Sequence, residues 1–194
     1  MAAERPHLVI FARRPAWGVG KRRLAAGAGE AAAWRFQRFM LADLARRLGC
    51  DRRWRTWLCV TPDQAAGRLM GLPALPQGPG GLGERLRRLL RRLPPGPAVI
   101  IGTDSPGIAT SDIAAAFRAL GAADAVFGPA LDGGYWLIGL RRRPRRLDPF
   151  EGVRWSSPDA LADTLANLAG RRVAMLRSLE DIDDAEALAR LRHP

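Results

Sequence analysis

Lysine is nearly missing from this chain: of its 31 Lys and Arg side chains only Lys21 is a lysine. Cysteine and histidine occur twice each and tyrosine once. Cys50 and Cys59 lack metal-ligand spacing, so they read as buried free thiols rather than as a disulfide or a metal site. Neither His7 nor His193 stands in a catalytic pattern. No apolar run approaches the roughly 20 residues that span a bilayer, so no membrane span is expected. Residues 1–6 are too brief and polar for a secretory signal, which leaves the cytoplasm as the default location. Repeats and low-complexity tracts are missing too. What remains is 194 residues, 47% of them hydrophobic, enough for one sizeable core. Residues 1–194 are read as a single soluble domain.

The net charge of +12 invites a nucleic-acid partner, but its distribution argues for none. The arginines are scattered through helices and loops without interleaved aromatics, as on a solvated surface. Against that background one lysine in a glycine-containing loop stands out, because an ammonium is a mobile point charge that suits a phosphate.

Short β-branched runs alternate with amphipathic stretches. Strands are expected over 8–12, 56–60, 98–102, 123–128, 135–140 and 171–176, with a weak one over 72–75. Helices are expected over 30–48, over 82–93 with Leu82 on its apolar face, from a Thr110 or Ser111 cap to 120, over 159–168 behind Ser156 or Ser157, and at the carboxyl terminus. Residues 141–149 read as a surface excursion. The direct join of the 123–128 and 135–140 strands, with no helix between, implies an antiparallel member in a mostly parallel mixed sheet. The expected class is α/β, a three-layer α/β/α sandwich.

Four places carry candidate chemistry. Ala98-Val99-Ile100-Ile101-Gly102 reads as a strand buried on both faces, and Asp104 follows it where open α/β sheets hold ligands. Gly18, Gly20, Lys21, Arg22 and Arg23 form a basic loop after the first strand, resembling a phosphate cradle without Walker or dinucleotide glycine spacing. Asp132-Gly133-Gly134 would let a ligand lie against the backbone. Asp181 and Asp183 would point to one side of an extended segment, as oxygen ligands for a hard cation should. Ordinary turns and helix capping use the same residue types, so each place also has a purely structural reading.

The order of these motifs resembles a known family. Phe11-Ala12-Arg13-Arg14-Pro15 with Gly18, Lys21, Arg23 and Leu24 opens it, and Pro76-Gln77-Gly78 with Leu82-Gly83-Glu84-Arg85 follows. Ile101-Gly102-Thr103-Asp104-Ser105-Pro106 and the block from Gly128-Pro129-Ala130-Leu131-Asp132-Gly133-Gly134-Tyr135 to Leu140 come next. Phe150-Glu151-Gly152 with Trp155-Ser156 and the acidic terminal segment complete it. These are similar to the signatures of the glycosyltransferase-A-like family DUF2064, over nearly the whole chain. The chain has Lys21-Arg22-Arg23 where that family usually has Lys-Thr-Arg, and Asp184-Ala185-Glu186-Ala187 in place of a Thr-Pro-Glu-Asp-type helix start.

The resemblance implies the nucleotide-diphospho-sugar transferase (GT-A) fold and a metal-dependent transferase acting on a nucleotide-activated substrate. Glycosyl transfer from a nucleotide sugar to a small-molecule acceptor is the first reading. Nucleotidyl transfer to a phosphorylated small molecule, with pyrophosphate released, and non-catalytic nucleotide binding stay open. It implies nucleotide contacts from Ala12, Arg13, Pro15, Gly18, Lys21 and Arg23, and substrate contacts from Asp132, Gly133, Gly134 and Tyr135. Asp104, with Asp181 or Asp183, would hold Mg²⁺ or Mn²⁺, and Asp104, Asp132 and Lys21 would be catalytic. The oligomeric state is not fixed by any of these features.

Overall fold

The structure, a computed structural model, describes residues 5–144 and 147–192; residues 1–4 of the amino-terminal segment, two arginines of the 141–149 excursion, and His193 lie outside the described residues. The strands are β1 (His7–Arg13), β2 (Arg55–Thr61), β3 (Gly67–Leu69), β4 (Leu72–Pro76), β5 (Ala98–Ile101), β6 (Ala125–Pro129), β7 (Tyr135–Leu140) and β8 (Val173–Met175). They form one sheet in the order β3-β4-β2-β1-β5-β7-β6-β8. β1 lies parallel to β2 and β5, so Ile10 aligns with Leu58 on one side and Ile101 on the other. β7 runs antiparallel to both β5 and β6, as the helix-free join requires. The carboxyl ends of β1, β2, β4, β5 and β6 and the amino end of β7 therefore share one edge.

The helices are α1 (Arg22–Ala28), α2 (Glu30–Gly49), α3 (Leu82–Arg92), α4 (Thr110–Ala119), α5 (Ala160–Ala166) and α6 (Ala185–Arg192). Alternation along each strand sends its side chains to opposite faces. Leu8, Ile10, Leu58 and Val99 pack with Leu24, Phe36, Ile113 and Leu188 of α1, α2, α4 and α6. Val9, Cys59 and Ile100 pack on the other face with Leu86 and Leu89 of α3, and Leu161 and Leu165 of α5 join them. The three-layer α/β/α sandwich is thus the observed architecture. Among the described residues no helix is long and apolar enough to cross a membrane.

Several local expectations need correction. The basic loop is shorter than its composition suggests, because α1 begins at Arg22; Ala25 and Ala26 favour a helix that the neighbouring glycines concealed. Edge strand β3 has only three residues and no readable alternation. The α4 N-cap is Ala109 rather than Thr110 or Ser111, and Asp112 in the first turn reaches back, its carboxylate accepting from the Ala109 amide at 2.8 Å. α5 starts at Ala160, two residues beyond Pro158. Leu82 is exposed at the start of α3, and Cys50 is exposed while Cys59 is buried.

The 141–149 segment is not wholly superficial. Arg142 is buried, and its guanidinium donates to the carbonyls of Leu90, Leu93, Pro94 and Gly96 at 2.8–3.0 Å. It ties the end of β7 to the end of α3 and the turn that leads into β5. Buried carbonyls left without donors cost about 1–3 kcal/mol each, partly recovered by relaxation. Arg142→Met is therefore expected to lower the urea-unfolding free energy by about 3 kcal/mol; a loss under about 0.5 kcal/mol, the range of ordinary surface changes, would contradict the clamp.

Candidate functional site

The site is built around Lys21. Its backbone is left-handed, with φ 45°, at the start of α1, a conformation that few non-glycine residues adopt. The turn sends the ammonium inward, where only 8% of the side chain is exposed, 2.9 Å from Asp104 Oδ1 and 2.7 Å from Asp183 Oδ1. It also donates to the Ile182 carbonyl at 2.7 Å. Burial works against the charge, but the Asp104 and Asp183 carboxylates outweigh it and raise the lysine above its ordinary value. Asp183 is held below the usual carboxylate range despite its burial, by Lys21 and by Arg23 at 2.7 Å.

The 179–183 segment is laced to the strand ends from the other side. Leu179 donates to the Pro129 carbonyl at 3.0 Å and Ile182 to the Asp104 carbonyl at 2.9 Å. Asp181 accepts a short hydrogen bond from the Ser105 hydroxyl. Burial, with the nearby Asp104 and Asp132 carboxylates, pushes its carboxyl up to about 6 against the pull of Ser105 and Lys21.

Two cavities meet at Asp104. The first, about 680 Å³, is walled by Arg13, Lys21, Arg22, Arg23 and Arg85, with Ala12, Thr103 and Gln77 between them. Buried Gln77 fixes the strand ends there, donating to the Ala12 and Cys59 carbonyls at 2.9 and 3.2 Å while receiving Arg85 at 3.2 Å. The second, about 610 Å³, carries Asp132, Gly134, Asp181 and Asp183 against an apolar wall that includes Tyr135 and Trp155. Phe11, Arg23, Gly102, Asp104 and Asp183 border both.

The turn between β6 and β7 positions Asp132. Its Oδ1 accepts from the Gly134 amide at 2.9 Å. Gly133, with φ +87°, lies so close to Pro158 that a Cβ would fall 2.1 Å from that residue's carbonyl oxygen. Only glycine permits both the conformation and the approach. Burial pushes the Tyr135 phenol up to about 12, so its ring shapes the cavity as a neutral wall.

The structure thus brings together Ala12, Arg13, Lys21, Arg23, Asp104, Asp132, Gly134, Tyr135, Asp181 and Asp183. Pro15, Gly18 and Gly133 line neither cavity: Pro15 borders a separate hollow beside Trp34, Gly18 is open to space, and Gly133 lies against Pro158. Gln77, Arg85 and Trp155 line the cavities without having been singled out individually. The motifs around them were visible, but nothing in spacing alone says which member of each points inward. As they stand, no three His, Cys, Asp or Glu groups among the described residues converge closely enough to cage an ion. The donors are nevertheless carboxylate oxygens, the type that Mg²⁺ and Mn²⁺ take, and Asp104, Asp132, Asp181 and Asp183 line one cavity.

The fold is the one shared by solved structures named as nucleotide-diphospho-sugar transferases and nucleotidyltransferases. The chain belongs to the DUF2064 family, described as an uncharacterized protein conserved in bacteria, whose profile matches residues 44–157. A protein of Desulfovibrio desulfuricans, provisionally named a nucleotide-diphospho-sugar transferase, is 27% identical with a TM-score of 0.88, covering 97% of this chain and 86% of that one. CMP:2-keto-3-deoxy-manno-octonic acid synthetase complexed with CTP is 13% identical with a TM-score of 0.61, covering 97% of each chain. Rv0371c of Mycobacterium tuberculosis in complex with manganese is 20% identical with a TM-score of 0.57, covering 98% of each. No curated protein matches.

The elevated Asp181 carboxyl has a pH consequence. An acid whose pKa rises on folding, here from 3.8 to about 6, destabilises the folded state increasingly as pH climbs through that window and in full above it. After discounting for partial exposure, the effect is on the order of 1 kcal/mol. In buffer with a chelator, Asp181→Asn is expected to unfold at higher temperature than the wild type at neutral pH, with the gain shrinking as pH falls toward 4. A gain of constant size across that range would contradict the electrostatic cause.

Proposed function

We propose that the chain is a divalent-metal-dependent transferase acting on a nucleotide-activated substrate, moving a sugar from a nucleotide sugar to an acceptor hydroxyl. The observation that carries this reading is the pair of cavities joined at Asp104, one walled by guanidinium and ammonium groups, the other by carboxylates on an apolar surface. A diphosphate suits the first and a hydroxyl compound the second. Likeness to a protein provisionally named a nucleotide-diphospho-sugar transferase supports it, as does the manganese complex of a protein with the same fold.

Arg13, Lys21, Arg23 and Arg85 would bind and orient the diphosphate, with fixed positive charge where negative charge develops. Asp183 keeps Lys21 and Arg23 aligned. Asp104 and Asp181 would hold Mg²⁺ or Mn²⁺, which when bound supplies Lewis-acid stabilisation of the departing diphosphate. Asp132 would accept the proton of the acceptor hydroxyl as its oxygen bonds to the anomeric carbon. The bond from that carbon to the diphosphate oxygen breaks, and its electron pair leaves with the nucleoside diphosphate. Much of the catalysis in such a site is alignment.

Nucleotidyl transfer is the second reading, favoured by the shared fold of a synthetase that binds CTP. The products separate the two readings, because the nucleotidyl route releases pyrophosphate. In a thermal-shift screen with Mn²⁺, one nucleotide sugar is expected to stabilise the wild type by about 2.7 kcal/mol at 100 times its Kd. Lys21→Met and Asp104→Asn should each lose at least about tenfold in that affinity, about 1.4 kcal/mol. Turnover should release nucleoside diphosphate without pyrophosphate. Binding without turnover would leave a nucleotide-binding protein, and no stabilisation by any nucleotide would overturn the proposal.

A further inference from the structure

The second cavity has a chemistry that the surface at large does not. The chain as a whole carries 31 cationic and 19 acidic side chains. Here Asp104, Asp132, Asp181 and Asp183 face the cavity, and among the described residues its one cationic lining residue is Arg23, which is already paired with Asp183. Lys21 and Arg23 already neutralise Asp104 and Asp183, and a cation on Asp104 and Asp181 would be claimed by the diphosphate of the nucleotide. A phosphorylated guest would therefore bring two further negative charges against Asp132 and Asp181, with no unpaired cation among the described wall residues to receive them. Neutral hydroxyls, by contrast, donate to carboxylates.

The rest of the wall is apolar and held in place. Trp155 packs edge-on against Tyr135 with ring centres 6.3 Å apart and tilted against Phe150 at 6.2 Å. Gly83, at the start of α3, lets the backbone close on this pair; a Cβ there would lie 3.2 Å from the Trp155 indole nitrogen and 3.0 Å from the Phe150 carbonyl oxygen. An indole fixed in this way is a preorganised platform for the apolar face of a ring. Leu82 continues the apolar wall to the rim at 39% exposure, and Leu131, next to Asp132, is 72% exposed.

We infer that the second cavity takes an unphosphorylated, uncharged hydroxyl compound with an apolar face, an alkyl- or aryl-substituted alcohol or glycoside, seated on Trp155 with a hydroxyl directed at Asp132. This names the acceptor class of the proposed transferase and rests on that reading only for the word acceptor. The cavity's selectivity follows from its own walls. It also disfavours the nucleotidyl route to a phosphorylated partner.

The test uses the full-length protein with phenyl and octyl β-D-glucosides and their 6-phosphates as probes, binding being read by titration calorimetry and by tryptophan fluorescence. The neutral glycosides are expected to bind at least about tenfold more tightly than their phosphates, about 1.4 kcal/mol. Trp155→Ala and Asp132→Asn should each weaken neutral-glycoside binding by at least that factor, and Trp155→Phe should restore most of it, which a merely misfolded variant could not show. Equal or tighter binding of the phosphates, unchanged affinity in both variants, or no binding of either neutral glycoside would overturn the inference. Nucleotide affinity, measured separately by thermal shift, keeps the two claims apart. Glycoside binding without nucleotide binding would sink the transferase reading alone, and the reverse would sink this one alone.

Discussion

One buried ammonium holds the functional edge together. Lys21 reaches from the first loop to the carboxylate that ends the middle strand and to the terminal segment, joining pieces of chain more than 160 residues apart in sequence. A buried charge is tolerated only when it is paired, and the Asp104 and Asp183 carboxylates and the Ile182 carbonyl supply the partners. Asp104 and Asp183 keep 48% and 37% of their side-chain surface exposed, so they stay accessible to a ligand while bound to the lysine. The left-handed turn at Lys21 is strain of the kind that persists where the surrounding structure determines it, and here two carboxylates and a carbonyl do so.

The sheet explains why two cavities of opposite character adjoin. Parallel strands β1, β2, β4 and β5 deliver their following loops to one edge, and the basic loop after β1 forms one side of it. Reversal at β7 brings the Asp132 turn to the same edge from the other half of the sheet. Asp104 sits at the seam, because β5 pairs with β1 on one side and β7 on the other. A junction of this sort, where strand direction or order changes, is where open α/β sheets bind ligands.

Much of this was legible in the sequence. The strand runs are β-branched and uncharged, the α3 leucines repeat at helical spacing, and the glycine pair after Asp132 announced a tight turn. What could not be read is instructive. The α1 start was hidden because Arg22-Arg23 looks the same in a loop and in a first turn. Arg142 resembles its exposed neighbours in composition, and only the tertiary fold turns it inward onto four carbonyls. The pairing of Asp183 with Lys21 and Arg23, and of Asp181 with Ser105, gives two acidic residues two apart in sequence different surroundings. Alternation along an extended segment predicts a shared side and says nothing of partners from elsewhere in the chain. Trp155 acquires its place from Gly83, whose missing side chain matters only once α3 packs against it.

The central claim is that the diphosphate of a nucleotide and a divalent cation meet at Asp104 across from Lys21. Crystals grown with Mn²⁺ and a nucleoside diphosphate, measured at the manganese absorption edge, address it directly. The account predicts an anomalous peak within coordination distance of Asp104, with the diphosphate against Lys21 and Arg23. Manganese or diphosphate bound away from this edge, with the Lys21 to Asp104 pair undisturbed, would contradict it.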